Sequence, residues 1–116
     1  MHMPKYMNVV RFTVKSGDEA KFEDSLKKFI NPDGVLFRKV IKTGERSYCS
    51  MMEWADEQSL ANARQKMIAY LDTVRDLLEE ISPELGVTDP VSGPVVIDEQ
   101  GNVTTPGGTI SGKIKT

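Results

Sequence analysis

Between Tyr6 and Lys15 (YMNVVRFTVK) the side chains alternate with a period of two, which predicts a strand. Tyr6, Asn8, Val10, Phe12 and Val14 share one face; Met7, Val9, Arg11, Thr13 and Lys15 share the other. The period then lengthens. Phe22, Leu26, Phe29 and Ile30 fall at i, i+4, i+7 and i+8, the apolar stripe of a helix. Ser16-Gly17-Asp18-Glu19 ahead of that stripe has the form of a capping box, and Asn31-Pro32-Asp33-Gly34 stops the helix. Two more strands follow, Val35 to Lys42 and Arg46 to Trp54, joined by a short turn at Thr43-Gly44-Glu45. A two-residue loop puts Val35, Phe37, Lys39 and Ile41 on the face of Tyr48, Ser50, Met52 and Trp54, with Leu36, Arg38, Val40, Cys49 and Met51 opposite.

From Asp56, the expected N-cap, a second helical pattern continues to Ile81 through Leu60, Ala63, Met67, Ile68, Leu71, Val74 and Leu78. Val91 and then Val95-Val96-Ile97 predict a short fourth strand with Pro94 at its start. The order is β-α-β-β-α-β, so the fold class is α+β: a ferredoxin-like, four-stranded antiparallel sheet with both helices on one face. Both sheet faces carry apolar residues, and in so small a domain a second copy is the expected cover, which predicts a homodimer. Residues 1–99 form this domain. Residues 100–116 are a Gly/Thr-rich tail or arm, either disordered or turning at Gln100-Gly101-Asn102 into an edge strand over Thr109 to Lys115.

Composition narrows the function classes. At 116 residues, 39% hydrophobic and 28% charged, the chain has room for one ordinary globular domain. A net charge of −2 gives no general attraction to nucleic acid or anionic lipid. Arg38, Lys39, Lys42 and Arg46 form the densest basic group, either a solvated hairpin or a contact for an anionic substrate group. No apolar run approaches the roughly 20 residues that span a bilayer, so no membrane role is expected. One cysteine, Cys49, and no secretory leader at the N-terminus point to the cytoplasm.

Several chemistries are excluded. Gly107 to Lys113 nearly matches a phosphate-binding loop, but Ile114 stands where its hydroxyl residue belongs and no helix follows. His2 is the sole histidine, which removes a histidine-based triad and leaves too few ligands for zinc or haem iron. The carboxylate pairs Glu79-Glu80 and Asp98-Glu99 read as solvated surface. Neither a metal nor an organic cofactor is expected.

A strand ending in tryptophan and followed by an acidic, Gln/Ser-rich helix start (MMEW-ADEQSL) resembles the antibiotic biosynthesis monooxygenase group of dimeric α+β barrel proteins. The opening VVRFTVKSGDEAKFEDSL is similar to that group's first strand and helix. The resemblance covers roughly residues 5–98. It implies a homodimer with facing sheets and a cavity between each sheet and its helices. In some members that cavity oxidises an aromatic substrate with molecular oxygen and neither metal nor flavin; others degrade haem. The haem-degrading branch's working asparagine aligns with Val10, its helical tryptophan with the neighbourhood of Ala63, and its histidine ligand with nothing, so haem degradation is disfavoured.

The function read here is a cofactor-independent monooxygenase acting on a small aromatic, polyketide-like substrate. Asn8 and Tyr48 are its expected catalytic residues, stabilising a deprotonated substrate that itself reacts with oxygen. Phe12, Met52, Trp54, Met67 and Tyr70 are the expected substrate-binding wall. Each has a plainer role available. Trp54 packs the sheet–helix junction, Asn8 is tied to backbone, the tyrosines keep their hydroxyls wet, and the methionines fill the core. Two rivals share the fold: a non-catalytic ligand-binding or scaffold dimer, and a muconolactone-type isomerase needing an acid/base residue in the cavity, with Glu53 the nearest candidate. A cavity of a few hundred Å³ containing Asn8 or a tyrosine separates binding or catalysis from the scaffold.

Overall fold

The computed structural model describes residues 3–99, with 103–105 and 108–110 described as backbone. Strand β1 (Tyr6–Thr13) leads into helix α1 (Glu19–Lys28), the hairpin β2 (Val35–Lys42) and β3 (Ser47–Trp54), helix α2 (Glu57–Val74) and strand β4 (Asp89–Pro94). The strands form one antiparallel sheet in the order β2-β3-β1-β4, the ferredoxin-like arrangement. Val103–Thr105 (β5) and Gly108–Ile110 (β6) pair with each other in a separate two-stranded sheet. The expected turn at 100–102 and the arm beyond Ile110 lie outside the described residues.

Turn chemistry positions both helices. Lys15 to Asp18 closes a tight turn, the Asp18 N–H donating to the Lys15 carbonyl at 3.0 Å, with Gly17 at φ 91°. This corrects the expected capping box. Asp18 is the N-cap and makes no side-chain cap bond, and Glu19 accepts from the Gly17 N–H (3.0 Å), because the turn leaves Ser16 too early in the chain to cap. Asp56 caps α2 as expected, accepting from the Ser59 N–H at 2.8 Å and its hydroxyl at 2.9 Å. Gly34 touches this same corner. Its φ is 91°, and an added Cβ would lie 2.5 Å from the Ser59 Cβ, so only glycine lets the α1–β2 loop pass α2 so closely.

The hairpin register differs from the expected one. Thr43 N–H donates to the Ser47 carbonyl at 2.8 Å, so three residues, Gly44 to Arg46, form the loop. An odd loop length reverses the parity of a two-residue loop. Arg38 therefore pairs with Met52, Val40 with Ser50 and Lys42 with Tyr48, while Phe37, Lys39 and Ile41 join Cys49, Met51 and Glu53 on the other face. A bulge between Val35 and Phe37 brings Val35 opposite Trp54.

Three further expectations are corrected. Helix α2 ends at Val74 rather than Ile81 and passes through a 3₁₀ turn at Arg75–Leu77. There the chain finds better partners than another helical turn: Lys15 N–H bonds the Leu77 carbonyl and Glu79 N–H the Thr13 carbonyl, both at 2.8 Å. Leu78 is thereby buried beside Val14, and Ile81 is left 40% exposed. Ile30 lies past the end of α1 and is 77% exposed. The fourth strand is Asp89–Pro94, so Pro94 ends it rather than starting it. Val95 N–H adds a bond to Lys5 (2.8 Å) beyond the strand, and Val96 and Ile97 are exposed. Pro90 and Pro94 both sit on the outward-facing parity of this edge strand, where a missing N–H costs no ladder bond.

The core has two parts on the helix side of the sheet. One gathers Phe12, Val14, Phe22, Tyr48, Val74, Leu77 and Leu78, with the Phe12 and Phe22 rings edge-on at 4.9 Å. The other gathers Met52, Trp54, Leu60 and Ala63.

Candidate functional site

The space between the two core clusters is a cavity of about 410 Å³. Its floor is the helix-facing side of the sheet. Arg38, Met52, Asn8 and Ser92 form one row across the four strands, and Val40, Ser50, Val10 and Pro90 form the next. Helix α1 contributes Phe22, Leu26 and Phe29; helix α2 contributes residues from Leu60 to Val74. The exposed lining residues, Arg64 and Ile68 on α2 and Pro90 to Ser92 on β4, mark a mouth between that helix and the edge strand.

Five of the seven expected site residues line this cavity: Asn8, Phe12, Met52, Met67 and Tyr70. Trp54 lies behind the wall. It is fully buried, and its indole N–H donates to the Asn8 Oδ1 at 2.6 Å. An indole nitrogen only donates, so the amide must turn its oxygen to Trp54 and its NH2 away. Asn8 is 7% exposed, and no described residue accepts from that NH2. Among the described residues no fully buried side-chain nitrogen lacks a partner, so the NH2 opens onto the cavity that Asn8 lines.

Tyr48, expected beside Asn8, is not on this cavity. It stacks on Phe12 (5.9 Å) at the far end of β3, and its hydroxyl donates to the Glu23 Oε2 at 2.6 Å. Burial, then the bond to Glu23, raises the Tyr48 pKa above its usual 10.0, and the same bond holds the Glu23 carboxyl below its usual 4.5. Lys42 lies 3.5 Å from that carboxylate, and these groups line a second groove of about 330 Å³ that shares Leu26 and Arg38 with the cavity. Tyr70 is the phenol on the cavity wall; its hydroxyl shares a hydrogen bond with the Ser25 Oγ (3.1 Å) and its ring meets Phe29 edge-on at 4.8 Å.

Among the described residues the only charged ones in the lining are Arg38 and Arg64. Arg38 donates to the Leu26 carbonyl at 2.8 Å, and its guanidinium lies 5.0 Å from the Phe29 ring centroid. Arg64 was absent from the sequence reading. Its signal was present, because it stands four residues from both Leu60 and Ile68, on the apolar stripe that a charge ought to avoid. Glu53 is buried on the opposite face of the sheet and does not reach the cavity. Among the described residues no three His, Cys, Asp or Glu side chains converge as metal ligands, and no helix is long and apolar enough to cross a membrane.

No protein-family model matches the chain, and no curated protein does. Solved structures do. The chain is similar to NE2512, a protein of unknown function from Nitrosomonas europaea, at 21% identity and a TM-score of 0.66, over 87% of this chain and 98% of that one. It is similar to SnoaB, a cofactor-independent oxygenase from Streptomyces nogalater, at 17% identity and a TM-score of 0.64, over 82% and 96% of the two chains. A dimeric ferredoxin-like protein from an uncultured marine organism matches at 12% identity and a TM-score of 0.63, over 84% and 93%. Two further matches, from Chloroflexus aurantiacus and Bordetella bronchiseptica, are provisionally described as antibiotic biosynthesis monooxygenases. At these identities the likeness establishes the fold.

Proposed function

We propose that the protein is a cofactor-independent oxygenase that binds a flat, electron-rich aromatic molecule in the cavity and oxidises it with molecular oxygen. The observation that carries this reading is Asn8, a buried amide with its oxygen held by Trp54 and its NH2 left for a ligand oxygen. A donor fixed in an apolar enclosure stabilises negative charge that develops on a bound enol or phenol, at little reorganisation cost. The two guanidinium groups of the lining act in the same direction, lowering the pKa of a bound phenol or enol. The similarity to SnoaB supports the oxygen chemistry.

For an anthrone-type substrate the steps balance without an external reductant. The ring CH2 loses a proton to give an enolate-type anion whose oxygen accepts from Asn8. Its carbon adds dioxygen and a proton to form a hydroperoxide, and loss of water leaves a ketone, so CH2 and O2 become C=O and H2O. The carbon supplies all four electrons. The isomerase alternative loses support, since Glu53 faces away from the cavity. Tyr48, bonded to Glu23 outside the cavity, has no part in these steps.

The proposal includes a homodimer formed through the helix-free face, where Met7, Val9, Phe37, Cys49 and Met51 are half-buried and Ile41 and Val91 exposed. The dimeric ferredoxin-like neighbour supports this assembly. Oxygen uptake by the pure protein with anthrone-type and polyphenolic compounds tests the activity. Uptake matched by ketone or quinone formation is expected; binding without uptake would make the protein a ligand carrier instead.

A further inference from the structure

Of the chain's five arginines, three are held in ion pairs: Arg11 with Asp89 at 3.0 Å, Arg46 with Glu79 at 2.6 Å and Arg75 with Asp72 at 3.0 Å. The remaining two, Arg38 and Arg64, are the two that line the cavity, and among the described residues neither has a carboxylate partner. They belong to different elements, Arg38 on β2 against helix α1 and Arg64 on the exposed side of α2, so the cavity carries positive charge on two sides. The Arg38 guanidinium is also held in place, with one N–H on the Leu26 carbonyl and its plane beside Phe29. It borders both the cavity and the groove of Glu23, and among the described residues its other donors have no side-chain partner.

We infer that the molecule held in the cavity is an organic acid, an aromatic ring system whose negative charge is attracted by the Arg38 and Arg64 guanidinium groups while a ring oxygen meets Asn8. This rests on the reading of the cavity as a ligand site and adds the charge of its ligand. A planar fork of donors suits a carboxylate better than any neutral group, and the low polarity of the wall strengthens the attraction. A cationic ligand would face two like charges, and among the described residues the lining holds no acid to offset them. Arg38 and Asn8 share one row of the sheet two strands apart, about 10 Å between their Cα atoms at the usual inter-strand spacing. A fused-ring acid spans that distance.

Calorimetric titration of the full-length protein with 2-naphthoic acid and with its neutral amide, 2-naphthamide, tests this. The acid is expected to bind at least about tenfold more tightly, the usual worth of a hydrogen bond to a charged group. Arg64→Gln, a change at an exposed position that leaves the core intact, is expected to remove most of that preference and leave amide binding unchanged. Arg38→Gln should do the same where it remains folded. Equal binding of acid and amide by the native protein, or an undiminished preference in the Arg64→Gln protein and in a folded Arg38→Gln protein, overturns the inference and leaves the cavity reading standing. Binding of neither compound overturns both.

Discussion

Trp54 and Asn8, on neighbouring strands and two residues out of register, are joined by a 2.6 Å hydrogen bond that decides which end of the amide enters the cavity. The indole lies wholly inside the protein and the amide at the cavity's edge, so a structural residue sets the polarity of a cavity wall it does not line. Trp54→Phe keeps most of the packing and removes the donor. The orphaned, buried Asn8 oxygen is expected to cost about 1–3 kcal/mol in urea denaturation. Combining it with Asn8→Val removes that oxygen, so the double variant should be less destabilised than the sum of the two single ones.

Tyr48 and Glu23 make stability depend on pH at both extremes. The Glu23 carboxyl titrates below its usual 4.5 in the folded protein, chiefly through the Tyr48 hydroxyl, so its contribution is present above that value and is lost as the medium becomes more acid. The Tyr48 pKa is raised by burial, so its contribution is intact below the usual 10.0 and is lost as pH rises past it. Tyr48→Phe should therefore lose less stability than the native protein on going from about pH 6 to about pH 3, read as denaturation midpoints. An unchanged acid limb would show that the bond to Glu23 carries no linkage.

Gly34 sits where the chain has a left-handed φ of 91° and Ser59 leaves no room for a Cβ. Gly34→Ala should cost at least about 1–2 kcal/mol from the backbone alone. Thermal melts against Gly86→Ala, which has a positive φ of 73° but nothing within 4 Å, separate the steric part, and Gly34→Ala should melt lower.

The helix-free face is expected to be buried between two copies. Met51 lies at its centre, opposite Val9 and Lys39. Light scattering should give twice the chain mass of 12.9 kDa for the native protein and close to one chain mass for Met51→Arg. A native monomer at micromolar concentration contradicts the assembly.

The element order and the helix-facing side of β1 were legible in the sequence because period-two and helical patterns are local. So was the Asp56 cap, which needs only Ser59 three residues later. Non-local choices were not legible. One extra residue in the β2–β3 loop reversed which half of β2 faces the helices, and so brought Arg38 into the cavity. The early end of α2 depends on bonds from Lys15 and Glu79 that no window of α2 contains. Among the site residues, Asn8 was legible as a polar group on a strand face otherwise apolar, whereas Tyr48 shares that face but lies along the strand beyond the cavity's end. Trp54 was legible both as cavity wall and as packing at the sheet–helix junction, and it is the buried support behind the wall.

The central claim is that the NH2 of Asn8 stabilises a substrate anion that reacts with oxygen. Its most direct measurement is the oxygen-uptake rate of the native protein against a folded Asn8→Leu variant, with anthrone as substrate. The account predicts one O2 consumed per ketone formed, and a rate lower by about a hundredfold or more in the variant, as expected for losing a donor to a developing oxyanion. Equal rates in the two proteins would contradict it.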